Sequence, residues 1–382
     1  MNKIYPYFFL VTCLLFACNQ KQESAESAQQ SSASKETVAL EDAVNFSIRR
    51  QGKVTHIEVK EPYQGASTPA HYLLVPKGET VPEHSEETVV IRTPVSRIVC
   101  TATVHLPALE MLGVENTLKG FPSTQFISSE VLTKRVESGE IKELGIDTKI
   151  NMETLTEIDP EVVFGYTMNG NSQDLEQISR LGIPVALQVA YLEETPLGRA
   201  EWIKFIAEFF DKSDLAEEKF QEIKKQYLAV KEKVKNITHK PTAFTGVIYN
   251  DVWYMSGGNS WAGRFFEAAG IDYLWKDDES TGSLSLAFEA VYEKAAEADL
   301  WIGAGQYKSL QELTQANPRY SEFESFKNNE VYAYIKRINK NGGNDYFETG
   351  AARPDLILSD LVKIAHPELL PEYETYFYQK LN

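Results

Sequence analysis

Residues 150–166 read INMETLTEIDPEVVFGY, and residues 286–305 read LAFEAVYEKAAEADLWIGAG. Each opens with a Glu at the start of an amphipathic run (Glu153, Glu289) and repeats a Glu four residues on (Glu157, Glu293). Each then passes through an Asp into a short apolar run that ends at Gly. Helical periodicity that switches to a continuous apolar strand is the sequence form of half a βαβ unit. The two stretches are similar elements in two halves of the chain. They are not a strict repeat, since the second is two residues longer before its Gly.

Outward from residue 150 the same alternation continues. HLPALEMLGV reads as a short helix ending at Gly113, LKGFPS as an apolar strand and turn, DLEQISRLG as a helix closed by Gly182, and IPVALQV as another strand. Short connections between alternating helices and strands predict a parallel sheet. Ahead of this block, FSIRRQGKVTHIEVKEP, AHYLLVPKG and TVVIRTPVSRIVCT alternate with period two and predict additional strands. Between residues 198 and 236 the pattern turns wholly helical. Trp202, Phe205, Ile206, Phe209 and Phe210 mark one helix. Ser213 or Asp214 can cap a second, with Phe220, Ile223, Tyr227, Val230 and Val234 on one face. That helix would run about 30 Å and suits a rigid connector. After Pro241 the alternation resumes with TAFTGVIYNDVWYMSGG, a hairpin turning at Asn250-Asp251, and with SWAGRFFEAAG, a helix ending at Gly270. The chain is expected to finish in helices, RPDLILSDLVKIA and ELLPEYETYFYQKL.

The first forty residues stand apart. MNKIYPYFFLVTCLLFAC has a Lys near its start and an apolar run too short to span a bilayer, which matches a secretory signal. The small residue before Cys18 resembles a bacterial lipobox, and the resemblance implies cleavage before Cys18 and a diacylglycerol on its sulfur. The polar stretch that follows predicts a flexible tether. Of three cysteines, Cys13 lies in the signal and Cys18 is the lipidation candidate, so only Cys100 remains and no internal disulfide is available. The formal net charge of −17 argues against nucleic acid, whose phosphates need a field of Lys and Arg.

PVSRIVCTATVHLPALEMLGV, IKELGIDTKINMETLTEIDPEVVFGY, LEQISRLGIPV and ARPDLILSDLVKIAHPEL, in this order and spacing, resemble the substrate-binding lipoproteins of ABC importers for iron-siderophores, heme and vitamin B12. The likeness runs from about Arg97 to the carboxyl terminus. It implies two α/β lobes joined by one long helix, with ligand in the cleft between them. Residues 1–17 are then signal peptide, 18–44 tether, 45–198 the amino-terminal lobe with extra strands, 199–240 helices including the connector, and 241–382 the carboxyl-terminal lobe. In this family one Glu on each lobe meets arginines of the permease, and the NME and AFE contexts place those roles on Glu153 and Glu289.

Ligands of parallel α/β sheets sit beyond the carboxyl ends of the strands. Reading forward from each strand gives His105, Tyr166, Trp253, Trp261, Arg264, Tyr307, Lys336, Arg337 and Tyr346 as ligand-binding candidates. Aromatic density suits a ring-bearing ligand. The basic KRINK run and Arg264 suit an anionic chelate, whereas cobalamin would rely on the aromatics. Trp253 and Tyr254 alternate on one strand, so one of them faces the core. Tyr307 belongs either to core or to cleft, and His105 is either structural or part of the cleft. The expected function is therefore a non-enzymatic, lipid-anchored binding protein that captures an iron-siderophore-type chelate for an ABC permease, with no catalytic group, metal centre or resident cofactor. Corrinoid or heme binding, scavenging without an ABC partner, and a carboxylate-dependent hydrolase are the alternatives. A glycosidase needs its two carboxyls within about 10 Å across one cleft, but Glu153 and Glu289 fall on separate lobes. Each begins a helix that precedes its strand, an end expected to lie opposite the cleft.

Overall fold

In a computed structural model the chain is described over residues 35–146, 149–168, 170 and 172–382. The expected signal peptide, Cys18 and most of the tether lie outside these residues.

The amino-terminal parallel sheet runs in the order Val185–Leu187, Val162–Gly165, Ile98–Cys100, Leu118–Phe121, Lys142–Glu143. Its central strands are buried along their whole length, because helices cover both faces. The two-residue period then deals alternate side chains to two cores. Ile98, Cys100, Val162 and Phe164 enter one, and Val99 and Val163 the other. Helix starts are fixed locally: Asn151 Oδ1 accepts from Glu153 N and Thr154 N ahead of Met152–Ile158, and Ser172 caps Gln173–Arg180.

The extra strands form their own five-stranded sheet, in sequence order, from Lys35–Thr37 to Val89–Thr93, antiparallel until the last, parallel pair. It packs on the helices Pro196–Glu201 and Ile203–Glu208 through Phe46 on Trp202 (ring centres 4.7 Å apart) and Tyr72 on Phe205 (6.1 Å). The single helix expected through Trp202 is thus two, broken at that residue.

The tether expected to reach residue 44 gives way to structure at Lys35. Two buried carboxylates grip the irregular segment 41–45 that leads into the strand Phe46–Gln51. Glu201 accepts from the amides of Glu41, Asp42 and Ala43 at 2.7–3.1 Å, and Glu193 from Val44 and Asn45. A run of backbone N–H groups can satisfy a carboxylate taken out of water, and Lys204 pairs with Glu201 at 2.8 Å.

Ser213–Lys233 is the 21-residue connector. Ala216, Phe220 and Ile223 in its first half enter the amino-terminal core, and Tyr227 and Val234 near its end enter the carboxyl-terminal core. One continuous helix therefore belongs to both lobes.

The second sheet is ordered Asp272–Tyr273, Thr242–Phe244, Leu300–Ile302, Val331–Ala333, all parallel, with Gln379–Lys380 antiparallel at its edge. The hairpin turns where Asn250 and Asp251 both adopt positive φ (50° and 63°), a conformation Asn and Asp tolerate well. The tail departs from expectation: after Pro367–Leu369 it is turns and irregular backbone ending in the short strand Gln379–Lys380, not helix. The fully buried Asp360 explains this, accepting from the Tyr373 hydroxyl and from the amides of Tyr376, Phe377 and Tyr378.

Candidate functional site

The strand ends of the amino-terminal lobe form one wall. Thr101 follows Ile98–Cys100, Ser123 follows Leu118–Phe121 and Tyr166 follows Val162–Gly165. With Phe126, Ile150 and Asp174 these residues line a cavity of about 310 Å³. Tyr166 is held by its amide, which donates to Thr101 Oγ1 at 3.1 Å. It also lines a tighter cavity of about 90 Å³ with Gln188, Tyr191 and Arg199, closed by Ala351 and Ala352 from the other lobe.

Arg199 is the centre of this second space. Its Nε donates to the Glu193 carbonyl (3.1 Å) and its Nη2 to the Tyr191 carbonyl (2.8 Å). Among the described residues it forms no salt bridge. Burial lowers its pKa to about 10, with Tyr346, Tyr166 and Glu193 opposing. A largely buried guanidinium with only carbonyl partners is short of negative charge. Trp261 opens the helix Trp261–Ala268 behind the Ser260 cap and presents its ring 4.8 Å from the guanidinium carbon. Among the described residues its buried Nε1 has no hydrogen-bond partner. Tyr346 meets Trp261 nearly edge-on at 6.1 Å, and Tyr334 stacks on Tyr346 at 4.6 Å. The arrangement offers one cation, one spare indole donor and several ring faces.

Tyr166, Trp261 and Tyr346 lie around Arg199, an arginine that sequence reading missed. In sequence Arg199 is one charge among several, with Glu201, Lys204 and Glu208, in a helical run and carries no signal of its own. Phe126 and Tyr334 were missed as well; the first lies in a turn with no periodicity.

Other candidates are placed elsewhere. Trp253 is fully buried; its Nε1 donates to the Thr245 carbonyl at 3.0 Å and its ring packs among Trp301, Tyr320 and Phe323. Strand alternation turns Trp253 into the core and leaves Tyr254 exposed, so Trp253 leaves the ligand set. His105 is also fully buried and lines neither cavity; burial drives its pKa down to about 3, against a smaller opposing effect from the Gln188 backbone. Arg264 turns to Glu267 on its own helix (3.7 Å). Tyr307 is half-buried against the carboxyl-terminal core. Lys336 and Arg337 line a separate groove of about 750 Å³ between the lobes, with Lys134, Lys340, Glu130 and Glu137. Arg337 is paired with Asp345 at 2.5 Å, and Lys336 donates to the Thr375 carbonyl. This basic groove is walled from the aromatic cavity where Asn339 Nδ2 donates to the Gln125 and Ile127 carbonyls, both at 3.0 Å. Gly343 lies so close there that a Cβ would fall 2.2 Å from the Phe126 carbonyl oxygen.

Glu153 is exposed on the first turn of its helix and forms no ion pair among the described residues. Its expected position opposite the cleft is corrected by Ile150, three residues earlier, which lines the 310 Å³ cavity. A helix in a parallel βαβ unit runs antiparallel to its strands, so it starts over their carboxyl ends. Glu289 is exposed and bonded to Arg319 Nη1 at 2.8 Å; that contact, with its own backbone amide, lowers its pKa. Among the described residues no group of three or more His, Cys, Asp or Glu is placed to hold a metal, and no helix is long and apolar enough to cross a membrane.

Two parallel-sheet lobes, a helix shared between them and a cleft lined from both sides define a two-lobed binding protein. Residues 98–338 match the family described as periplasmic binding protein, and the chain belongs to that family. An uncharacterized lipoprotein of Methanocaldococcus jannaschii is 29% identical over 332 residues, 83% of this chain and 77% of its own length. A possible iron-binding (periplasmic solute-binding) protein from Staphylococcus epidermidis shares the fold with a TM-score of 0.56 at 18% identity, covering 71% of this chain and 99% of that one. The periplasmic vitamin B12 binding protein of Vibrio cholerae does so with a TM-score of 0.52 at 14% identity, over 71% and 96% of the two chains.

Proposed function

We propose that this protein is the exported, lipid-anchored binding component of an ABC importer and captures an anionic metal chelate of the ferric-siderophore type between its lobes. The observation that carries this reading is Arg199, largely buried in the interlobe cavity with carbonyl partners only. An anionic ligand group supplies the charge it lacks, and forked N–H donors suit carboxylate or phenolate oxygens. Trp261, Tyr166 and Tyr346 offer ring faces to the body of the chelate. Lys134, Lys336 and Lys340 on the outer groove add a local positive field to an acidic molecule. Cys18 carries the anchor, and Glu153 and Glu289 are the permease contacts. The lipoprotein description of the M. jannaschii relative and the solute-binding descriptions of the structural neighbours support this reading.

Tryptophan fluorescence titration with ferric catecholate and ferric citrate complexes, heme and cobalamin tests it, because Trp202 lines the cavity and Trp261 lies against Arg199. Saturable quenching by an anionic ferric complex at micromolar concentration is expected. Quenching by cobalamin alone overturns the anionic assignment, and no response to any of them overturns the ligand class.

A further inference from the structure

Away from Arg199, the lobes meet through a carboxylate. Glu348, on the short helix Asp345–Thr349 of the carboxyl-terminal lobe, accepts from Ser128 N at 2.7 Å and Ser129 N at 2.9 Å in the amino-terminal lobe. Ser129 caps the helix Glu130–Glu137, so Glu348 completes that helix start from across the cleft. Glu348 is 2% exposed, and opening the cleft returns its carboxyl to water.

We propose that Glu348 is a proton-operated latch: the closed cleft is held when its carboxyl is protonated and parts more readily when it is charged. The groups that face it are mostly acids. Glu110 lies on the packed helix Leu106–Met111, with Glu115 behind it, and Asp345 is on the latch helix itself. Glu130 opens the capped helix. The cation of the cluster, Arg337, is already engaged by Asp345. His105, on the turn packed against the latch helix, is buried and stays neutral above its pKa of about 3.

Two amide bonds favour the charged form of Glu348, but burial and the two nearest carboxylates outweigh them, and its pKa rises to about 7. In the open state the carboxyl returns toward the ordinary value near 4.5. Closure therefore takes up a proton. The stabilisation is full below the open-state value and is lost as pH rises through about 7. This is independent of which ligand the cleft holds.

Hydrogen–deuterium exchange of the peptide spanning Ser128 and Ser129 in the full chain without ligand, corrected for intrinsic pH dependence, reads the latch directly. Protection should fall about tenfold between pH 6 and pH 8. Glu348→Gln should remove that fall, since its amide oxygen can still accept a hydrogen bond but does not ionise. Glu110→Gln takes away a facing charge without touching the amide bonds and should move the fall to lower pH. Flat wild-type protection, or an unaltered fall in Glu348→Gln, overturns the proposal. If that variant does not fold, an unaltered fall in Glu110→Gln overturns it instead.

Discussion

The guanidinium carbon of Arg199 lies 4.8 Å from the centre of the Trp261 ring, and its Nε and Nη2 each donate to a backbone carbonyl. The helix Pro196–Glu201 carries the arginine and the helix Trp261–Ala268 carries the indole. A ligand anion in this space would bond a charge that the fold leaves unneutralised. Hydrogen bonds to charged groups contribute about 1.5–3 kcal/mol. Arg199→Gln should therefore weaken an anionic chelate roughly tenfold to a hundredfold. Calorimetric titration checks this, and equal affinity in the variant would remove Arg199 from the site.

Trp253 gives the opposite expectation. It is enclosed by Trp301, Tyr320 and Phe323 and does not reach the cavity. Truncating a buried aromatic costs about 3–5 kcal/mol, counting transfer and cavity terms. Trp253→Ala should lower the urea midpoint strongly. The milder Trp253→Phe should leave ligand affinity within twofold while still reducing stability, which denaturation and titration on the same sample would show.

The difference between these two residues shows what the sequence carried. Buried strands such as Val162–Gly165 and the hairpin at Asn250-Asp251 were legible because short-range pattern and turn chemistry determine them. The connector was legible because Phe220, Ile223, Tyr227 and Val234 repeat at helical spacing. Arg199 was not, because what makes it a site residue is the missing carboxylate, a property of the folded surroundings. The non-helical tail was not either, because Asp360 organises Tyr376, Phe377 and Tyr378 from a separate helix. Residues 41–44 look like tether for the same reason: Glu201 and Glu193, which bond their amides, lie about 150 positions away.

That clamp is a stability element with a local signature. Glu201 is fully buried, bonded to three amides and paired with Lys204, which has a second partner in Glu217 at 2.7 Å. Removing one partner of a buried pair costs about 3–5 kcal/mol, and the second partner of Lys204 argues for the lower end. Glu201→Ala should destabilise by about 3 kcal/mol. It should also free the segment 41–45, so limited proteolysis should cut there before the remainder of the fold is attacked. A loss of stability without that early cut would mean the carboxylate supports Lys204 alone.

Glu153 and Glu289 carry the permease hypothesis, and their surroundings differ. Glu153 has no ionic partner among the described residues, whereas Glu289 is held by Arg319, which itself lies 3.7 Å from the Phe288 ring. An exposed pair of this kind exchanges readily with an external arginine, so Glu289 stays available for docking. Complementary charge at such sites governs orientation and encounter more than affinity. Glu153→Lys and Glu289→Lys should each leave ligand affinity unchanged and reduce importer-dependent uptake in cells, the double variant most. The reduction from Glu153→Lys should be the larger one at low salt, because a free carboxylate has no internal competitor for the incoming arginine. Uptake assays at two ionic strengths, beside titrations of the same variants, check the assignment. Normal uptake by the double variant would leave both residues as ordinary solvated charges.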